Sequence, residues 1–102
     1  MTVRSAVAKT DDVKPGALAA FEVNGVRIAV ANANGSFHAF DDTCTHEQCS
    51  LAEGILDGTT VTCACHGAEF DVRTGAVLAP PAVEPVKTYP LHIEDGRLVI
   101  EV

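Results

Sequence analysis

This chain of 102 residues has no tryptophan, one tyrosine and four phenylalanines, so its core must be built mainly from aliphatic side chains. It has no apolar run near the roughly 20 residues that a membrane-spanning helix needs, and Met1 to Lys14 contains no apolar stretch of the signal-peptide kind. The expectation is a cytoplasmic protein with no membrane contact. Basic residues are scarce, seven Lys and Arg against fourteen Asp and Glu, giving a formal charge of −7. That sign is wrong for the phosphates of nucleic acids and for anionic lipid, and it favours a basic protein surface as partner. Helical periodicity is missing as well, since only Glu47 to Glu53 could form a turn or two of helix.

What remains reads as strands and turns. With 47% hydrophobic and 21% charged residues the composition is that of an ordinary folded domain, and the length suits one domain spanning residues 1–102. Asn24-Gly25 separates the apolar segments Leu18 to Val23 and Val26 to Ala31, the strongest short-range hairpin signal. Asn34-Gly35 repeats it before Ser36 to Phe40, and Asp95-Gly96 joins Leu91 to Glu94 with Arg97 to Val102. Val26, Ile28 and Val30 alternate with Arg27 and Ala29, which predicts a strand with one buried face; Leu98, Ile100 and Val102 share a face in the same way. Thr59 to Cys63 and Ala68 to Val72 read as two further short strands, followed by a turn at Arg73-Thr74-Gly75. Ala79-Pro80-Pro81 and Glu84-Pro85 predict a stiff, extended loop, because proline fixes its own φ and restrains the residue before it. The fold class is therefore all-β, with short antiparallel strands in a sandwich or small barrel.

Chemistry concentrates in two short runs, Cys44-Thr45-His46 and Cys63-Ala64-Cys65-His66. Together with Cys49 they hold all four cysteines and two of the four histidines. In a cytosolic chain such clustering points to metal before a disulfide framework. Two Cys and two His could staple the loops through zinc, giving an interaction domain with no redox role. Common zinc modules, however, bring their cysteines as one close pair and their histidines as a later pair, whereas here each run mixes one of each. Mixed pairs suit a centre with two inequivalent irons, a [2Fe-2S] cluster in which imidazoles replace two thiolates at one iron. His38 and His92 lie on predicted strands away from both runs and are expected to have no ligand role.

The pattern Cys-x-His followed by Cys-x-x-His resembles the double signature of the Rieske proteins. Glu53-Gly54, Leu56-Asp57-Gly58 and Phe70-Asp71-Val72-Arg73-Thr74-Gly75 extend the resemblance to the small ferredoxins of bacterial ring-hydroxylating dioxygenase systems. It implies a Rieske-like fold of stacked sheets with a two-loop cluster-binding portion at about residues 41–81. It implies one [2Fe-2S] cluster, with Cys44 and Cys63 on one iron and His46 and His66 on the other. The implied role is a one-electron carrier, not itself an enzyme, between an NAD(P)H-dependent flavoprotein reductase and a terminal oxygenase. After the four ligands only His38 and His92 remain as imidazole donors, too few for a separate mononuclear iron site.

Two further features follow from the resemblance, and they conflict. Cys49 and Cys65 stand where respiratory Rieske proteins carry a disulfide between the cluster loops, which keeps open a second reading as a subunit of a larger respiratory or periplasmic oxidoreductase. Ala68 and Phe70 stand where those proteins carry Ser and Tyr hydroxyls, and losing such donors lowers the potential. The Ala79-Pro80-Pro81 segment resembles the family's proline loop over the cluster, and Glu47 and Gln48 would lie at a docking face.

Overall fold

The computed structural model describes residues 3–45, 49–65 and 67–102. Among these, eleven short strands run in chain order: β1 (Arg4–Lys9), β2 (Leu18–Val23), β3 (Val26–Ala33), β4 (Ser36–Asp41), β5 (Ile55–Asp57), β6 (Thr60–Thr62), β7 (Glu69–Asp71), β8 (Val77–Ala79), β9 (Thr88–Tyr89), β10 (Leu91–Glu94) and β11 (Arg97–Glu101). They form three antiparallel sheets, ordered β1-β11-β10, β2-β3-β4-β9 and β5-β6-β7-β8. The only helical pieces among the described residues are single 3-10 turns at Thr10–Asp12 and Leu51–Glu53. Of the helical turn expected over Glu47 to Glu53, the described residues show the 3-10 turn at Leu51–Glu53; Glu47 and Gln48 lie outside the described residues. No helix among the described residues is long and apolar enough to cross a membrane.

The three two-residue turns fold as their chemistry dictates. Asn24 and Gly25, Asn34 and Gly35, and Asp95 and Gly96 all have positive φ, the condition for the tight hairpin whose twist matches its strands. The registers Val23↔Val26, Ala33↔Ser36 and Glu94↔Arg97 follow directly.

Strand β3 departs from the one-faced expectation. Ile28 and Val30 pack on one side with Val13, Leu98 and Ile100. Ala29, Ala31 and Ala33 pack on the other with Phe40, Leu51, Val61 and Phe70. Both faces are buried because the third sheet and its loops settle on the alanine side, where methyl groups leave room for two phenylalanine rings. Asn32, buried in the same strand, is satisfied at both ends, donating to the Val13 carbonyl at 2.8 Å and accepting from the Gly35 amide at 2.7 Å.

The third sheet joins this base at a close backbone contact. Gly75 lies in the turn between β7 and β8 with φ +80°, and a Cβ there would sit 2.0 Å from the Val86 carbonyl oxygen. The Val86 amide donates to the Gly75 carbonyl at 2.9 Å, so the two segments cannot separate without losing that bond. Gly25 also has positive φ but faces open space. Gly25→Ala should therefore cost about 1–2 kcal/mol, the left-handed penalty alone, and Gly75→Ala at least about 2 kcal/mol more, from overpacking. Chemical unfolding of the two variants checks this difference, and equal losses would refute the close-approach argument.

Candidate metal centre

Two loops leave the third sheet and the end of β4 with the same closure. In the first, Thr43 and Ser50 form an isolated antiparallel bridge, and the Cys44 amide donates to the Cys49 carbonyl at 2.9 Å. In the second, which follows β6, the Cys63 amide donates to the Ala68 carbonyl at 2.8 Å, and the Gly67 amide returns to the Cys63 carbonyl at 3.1 Å. In each loop the first cysteine is therefore pinned to the carbonyl five residues on. Both thiols are free and 3% exposed, within an apolar cluster that includes Leu51, Ala68, Phe70 and Ala82.

The other two cysteines tie the loops together. Cys49 and Cys65 form a disulfide with their Cα atoms 6.4 Å apart, inside the usual span. The sulfurs of Cys49, Cys63 and Cys65 all lie within 4.8 Å of one another. Since two of the three are bonded to each other, that trio is not itself a metal donor set. The thiols open to coordination are Cys44 and Cys63, one per loop. Of the predicted partners, His46 and His66 lie outside the described residues. Two thiolates shielded by apolar neighbours and supplied by separate loops fit an iron–sulfur centre, whose sulfur ligands are likewise kept from water.

A buried carboxylate, which the sequence reading missed, holds the first loop to the base. Asp42 is 1% exposed, and its oxygens accept from Arg27 Nε at 2.6 Å, Ser50 Oγ at 2.9 Å and the Ala52 amide at 2.9 Å. Its backbone adds two bonds, the amide to the Arg27 carbonyl and the Leu51 amide to its own carbonyl. The carboxylate raises the Arg27 pKa above its ordinary value. The only hint in the sequence is an acid at the strand-to-loop boundary, two residues before the first cysteine; its partner Arg27 is one hairpin away.

The neighbouring Asp41 points the other way along the strand and anchors the return segment. It accepts from the Tyr89 hydroxyl at 2.5 Å, and its amide donates to the Lys87 carbonyl at 2.8 Å. Burial and this bond push the Tyr89 hydroxyl well above its usual pKa, and Lys87 Nζ lies 5.0 Å from the ring centroid. Between Asp41 and the first loop runs the proline-rich segment. Pro80 and Pro81 sit in a turn after β8, which corrects the expectation of a continuous extended loop, because the chain bends there to bring Ala82 and Val86 into the cysteine-bearing cluster. The Thr45 hydroxyl donates to the Glu84 carbonyl at 2.8 Å, joining this segment to the first loop.

The remaining histidines stand apart from the grouped sulfurs. His38 lines an open groove of about 440 Å³ with Val72, Arg73, Thr88 and Tyr89, and burial lowers its pKa. Arg73 is held there by both oxygens of Asp71. His92, on β10, pairs with Glu101 on β11 at 2.7 Å. Ala68 and Phe70 are fully buried and offer no hydroxyl to the site.

Removing the Asp42 carboxylate leaves the Ala52 amide and the Ser50 hydroxyl without acceptors. Asp42→Ala should therefore destabilise the protein by about 2–4 kcal/mol. Arg27→Ala should cost clearly less, because Arg27 is more than half exposed while the other two bonds persist. Denaturant unfolding together with amide exchange at Leu51 and Ala52 reads both effects, and an unchanged exchange rate in Asp42→Ala would show that the carboxylate does not hold the loop.

Known proteins resemble this chain in sequence and in fold. The Rieske [2Fe-2S] domain model matches residues 3–90. The biphenyl dioxygenase ferredoxin subunit of Pseudomonas sp. (strain KKS102) is 41% identical over 92 residues, 89% of this chain and 84% of that protein. The structure of the ferredoxin of carbazole 1,9a-dioxygenase from Nocardioides aromaticivorans IC177 superposes with a TM-score of 0.93 at 32% identity, covering 96% of each chain. A chain in the complex of reduced oxygenase and oxidized ferredoxin in carbazole 1,9a-dioxygenase superposes at 0.89 with 32% identity, covering 94% of this chain and 99% of that one.

Proposed function

The chain belongs to the Rieske [2Fe-2S] family, and from that membership we propose that it is a cytoplasmic one-electron carrier, taking electrons from an NAD(P)H-dependent flavoprotein reductase and passing them to a terminal oxygenase. The observation that carries this reading is the pair of buried, free thiols at equivalent loop positions, in a chain that aligns over most of its length with dioxygenase ferredoxins. When bound, a [2Fe-2S] cluster with two imidazole ligands supplies reversible one-electron chemistry at about −150 to +300 mV.

The chain's own residues prepare the site in three ways. Cys44 and Cys63 would hold one iron, while His46 and His66 would hold the other. The apolar cluster with Leu51, Phe70 and Ala82 keeps water from the thiolates. Ala68 and Phe70 bring no hydroxyl to any sulfur, which leaves the added charge of reduction less stabilised and sets the potential toward the low end of the range. Catalysis on a substrate has little support in these residues, since His92 is engaged with Glu101 and His38 stands alone among imidazoles in its groove. A basic partner surface is supported by charge: between residues 43 and 86 the sole Lys or Arg is Arg73, and it is paired with Asp71. The Cys49–Cys65 disulfide favours the second reading, a subunit of a respiratory or periplasmic oxidoreductase.

Purified protein should be red-brown, contain two irons and two sulfides per chain, and give a Rieske-type EPR signal when reduced. His46→Ala and His66→Ala should each abolish that signal and lower the iron content. Redox titration should place the midpoint in the lower half of the family range; a value above roughly +200 mV would favour the respiratory reading. A colourless protein holding zinc would overturn both redox readings.

A further inference from the structure

Cys63 is a free thiol set beside a disulfide. Its sulfur lies within 4.8 Å of both Cys49 and Cys65 sulfurs, so a shift of about an ångström would bring it into contact with either. Cys63 is buried, Cys49 half-buried and Cys65 exposed. We propose that in the cluster-free chain Cys63 exchanges into this disulfide, moving the cross-link from Cys49–Cys65 to Cys49–Cys63 and releasing Cys65. The inference rests on the reading of Cys63 as an iron ligand, because a ligated Cys63 cannot attack and an exchanged one cannot ligate.

The step is balanced without an outside oxidant. The Cys63 thiol gives up its proton, its sulfur bonds to the Cys49 sulfur, the Cys49–Cys65 bond breaks, and the electron pair leaves on Cys65, which takes up a proton. One disulfide and two thiols per chain exist before and after, Cys44 being the unchanged thiol. Attack at Cys49 is favoured over attack at Cys65 for two reasons. The leaving sulfur then belongs to Cys65, the exposed residue of the pair, so its developing charge is nearer to water. A Cys63–Cys65 bond, in contrast, would have to close across a single residue. The new cross-link spans a loop only two residues shorter than the old one of separation 16, so the loop-closure entropy is nearly the same and exchange in either direction is permitted.

The exchange makes the disulfide a record of cluster occupancy. A chain that has lost its cluster, or never received one, can store Cys63 as part of a disulfide, safe from further oxidation. Attack by Cys65 on the new bond then restores the thiol needed for loading.

The test is disulfide mapping of holoprotein before and after removal of the cluster by a chelator, under anaerobic conditions without added thiol, followed by alkylation and digestion without reduction. In the holoprotein Cys49 should be linked to Cys65, with Cys44 and Cys63 alkylated once the protein is denatured. In the cluster-free sample a peptide linking Cys49 to Cys63 should appear, alkylation should move from Cys63 to Cys65, and the thiol count should stay at two. A cluster-free chain that keeps Cys49–Cys65 and an alkylated Cys63 after hours at pH 8 would overturn the proposal. So would alkylation of Cys65 in a Cys63→Ser variant, which lacks the proposed attacking thiol and keeps only the Cys44 thiol. Iron and sulfide analysis of the Cys63→Ser variant beside the unchanged protein separately tests the reading of Cys63 as a ligand, so the two failures are told apart.

Discussion

Strand β3 is buried on both faces, and the rest of the molecule depends on how unequal those faces are. On one side Ile28 and Val30 complete a conventional aliphatic core with Leu98 and Ile100. On the other, three alanines offer only methyl groups, and the space they leave is filled by Phe40 and Phe70. A larger residue at Ala29 or Ala31 would hold the third sheet away from the base, and with it the second cysteine loop, which follows β6. The placement of the cysteines is thus decided partly by side chains that never approach them, because close packing transmits a change in volume to whatever rests on it.

On that platform the loops are fixed by polar bonds more than by apolar area. Asp41 and Asp42 stand at the exit of β4 and point to opposite sides. One binds the Tyr89 hydroxyl, and the other binds Arg27, Ser50 and Ala52. One side chain therefore anchors the segment returning from the proline turn, and the next anchors the first cysteine loop. Burial alone offsets little of the ordering entropy of such short loops, so polar bonds and cross-links carry much of their fixation. The disulfide and the Thr45–Glu84 bond close the remaining sides.

How far the sequence discloses this depends on the range of the interaction involved. The three hairpin turns were legible because Asn-Gly and Asp-Gly carry their own reason for positive φ. The two cysteine-bearing loops were legible because each spacing is local to its own loop, while His46 and His66 lie outside the described residues. Strands β5, β8 and β9 were not: they are two or three residues long and, unlike β6 and β7, do not sit inside a longer strand-like run such as Thr59 to Cys63 or Ala68 to Val72. Strand β1 escaped notice because its partner β11 lies at the other end of the chain. The second buried face of β3 was hidden for a related reason: alternation of Val and Ile with Ala reads as one-sided until something packs on the alanines. Asp42 was overlooked because nothing in its spacing separates a buried acid from the many solvated ones in so acidic a chain.

The conflict between the disulfide and the missing hydroxyls eases once their physical effects are separated. A cross-link between Cys49 and Cys65 acts mainly on the loops, limiting the conformations open to them when unfolded or unloaded. It places no donor on a cluster sulfur. Hydroxyl groups at the positions of Ala68 and Phe70 would act on the redox equilibrium, by stabilising the charge that reduction adds. A chain can therefore keep the mechanical device of one branch of its family and the electronic setting of another. Loop stability and potential are controlled by different atoms, and neither choice constrains the other.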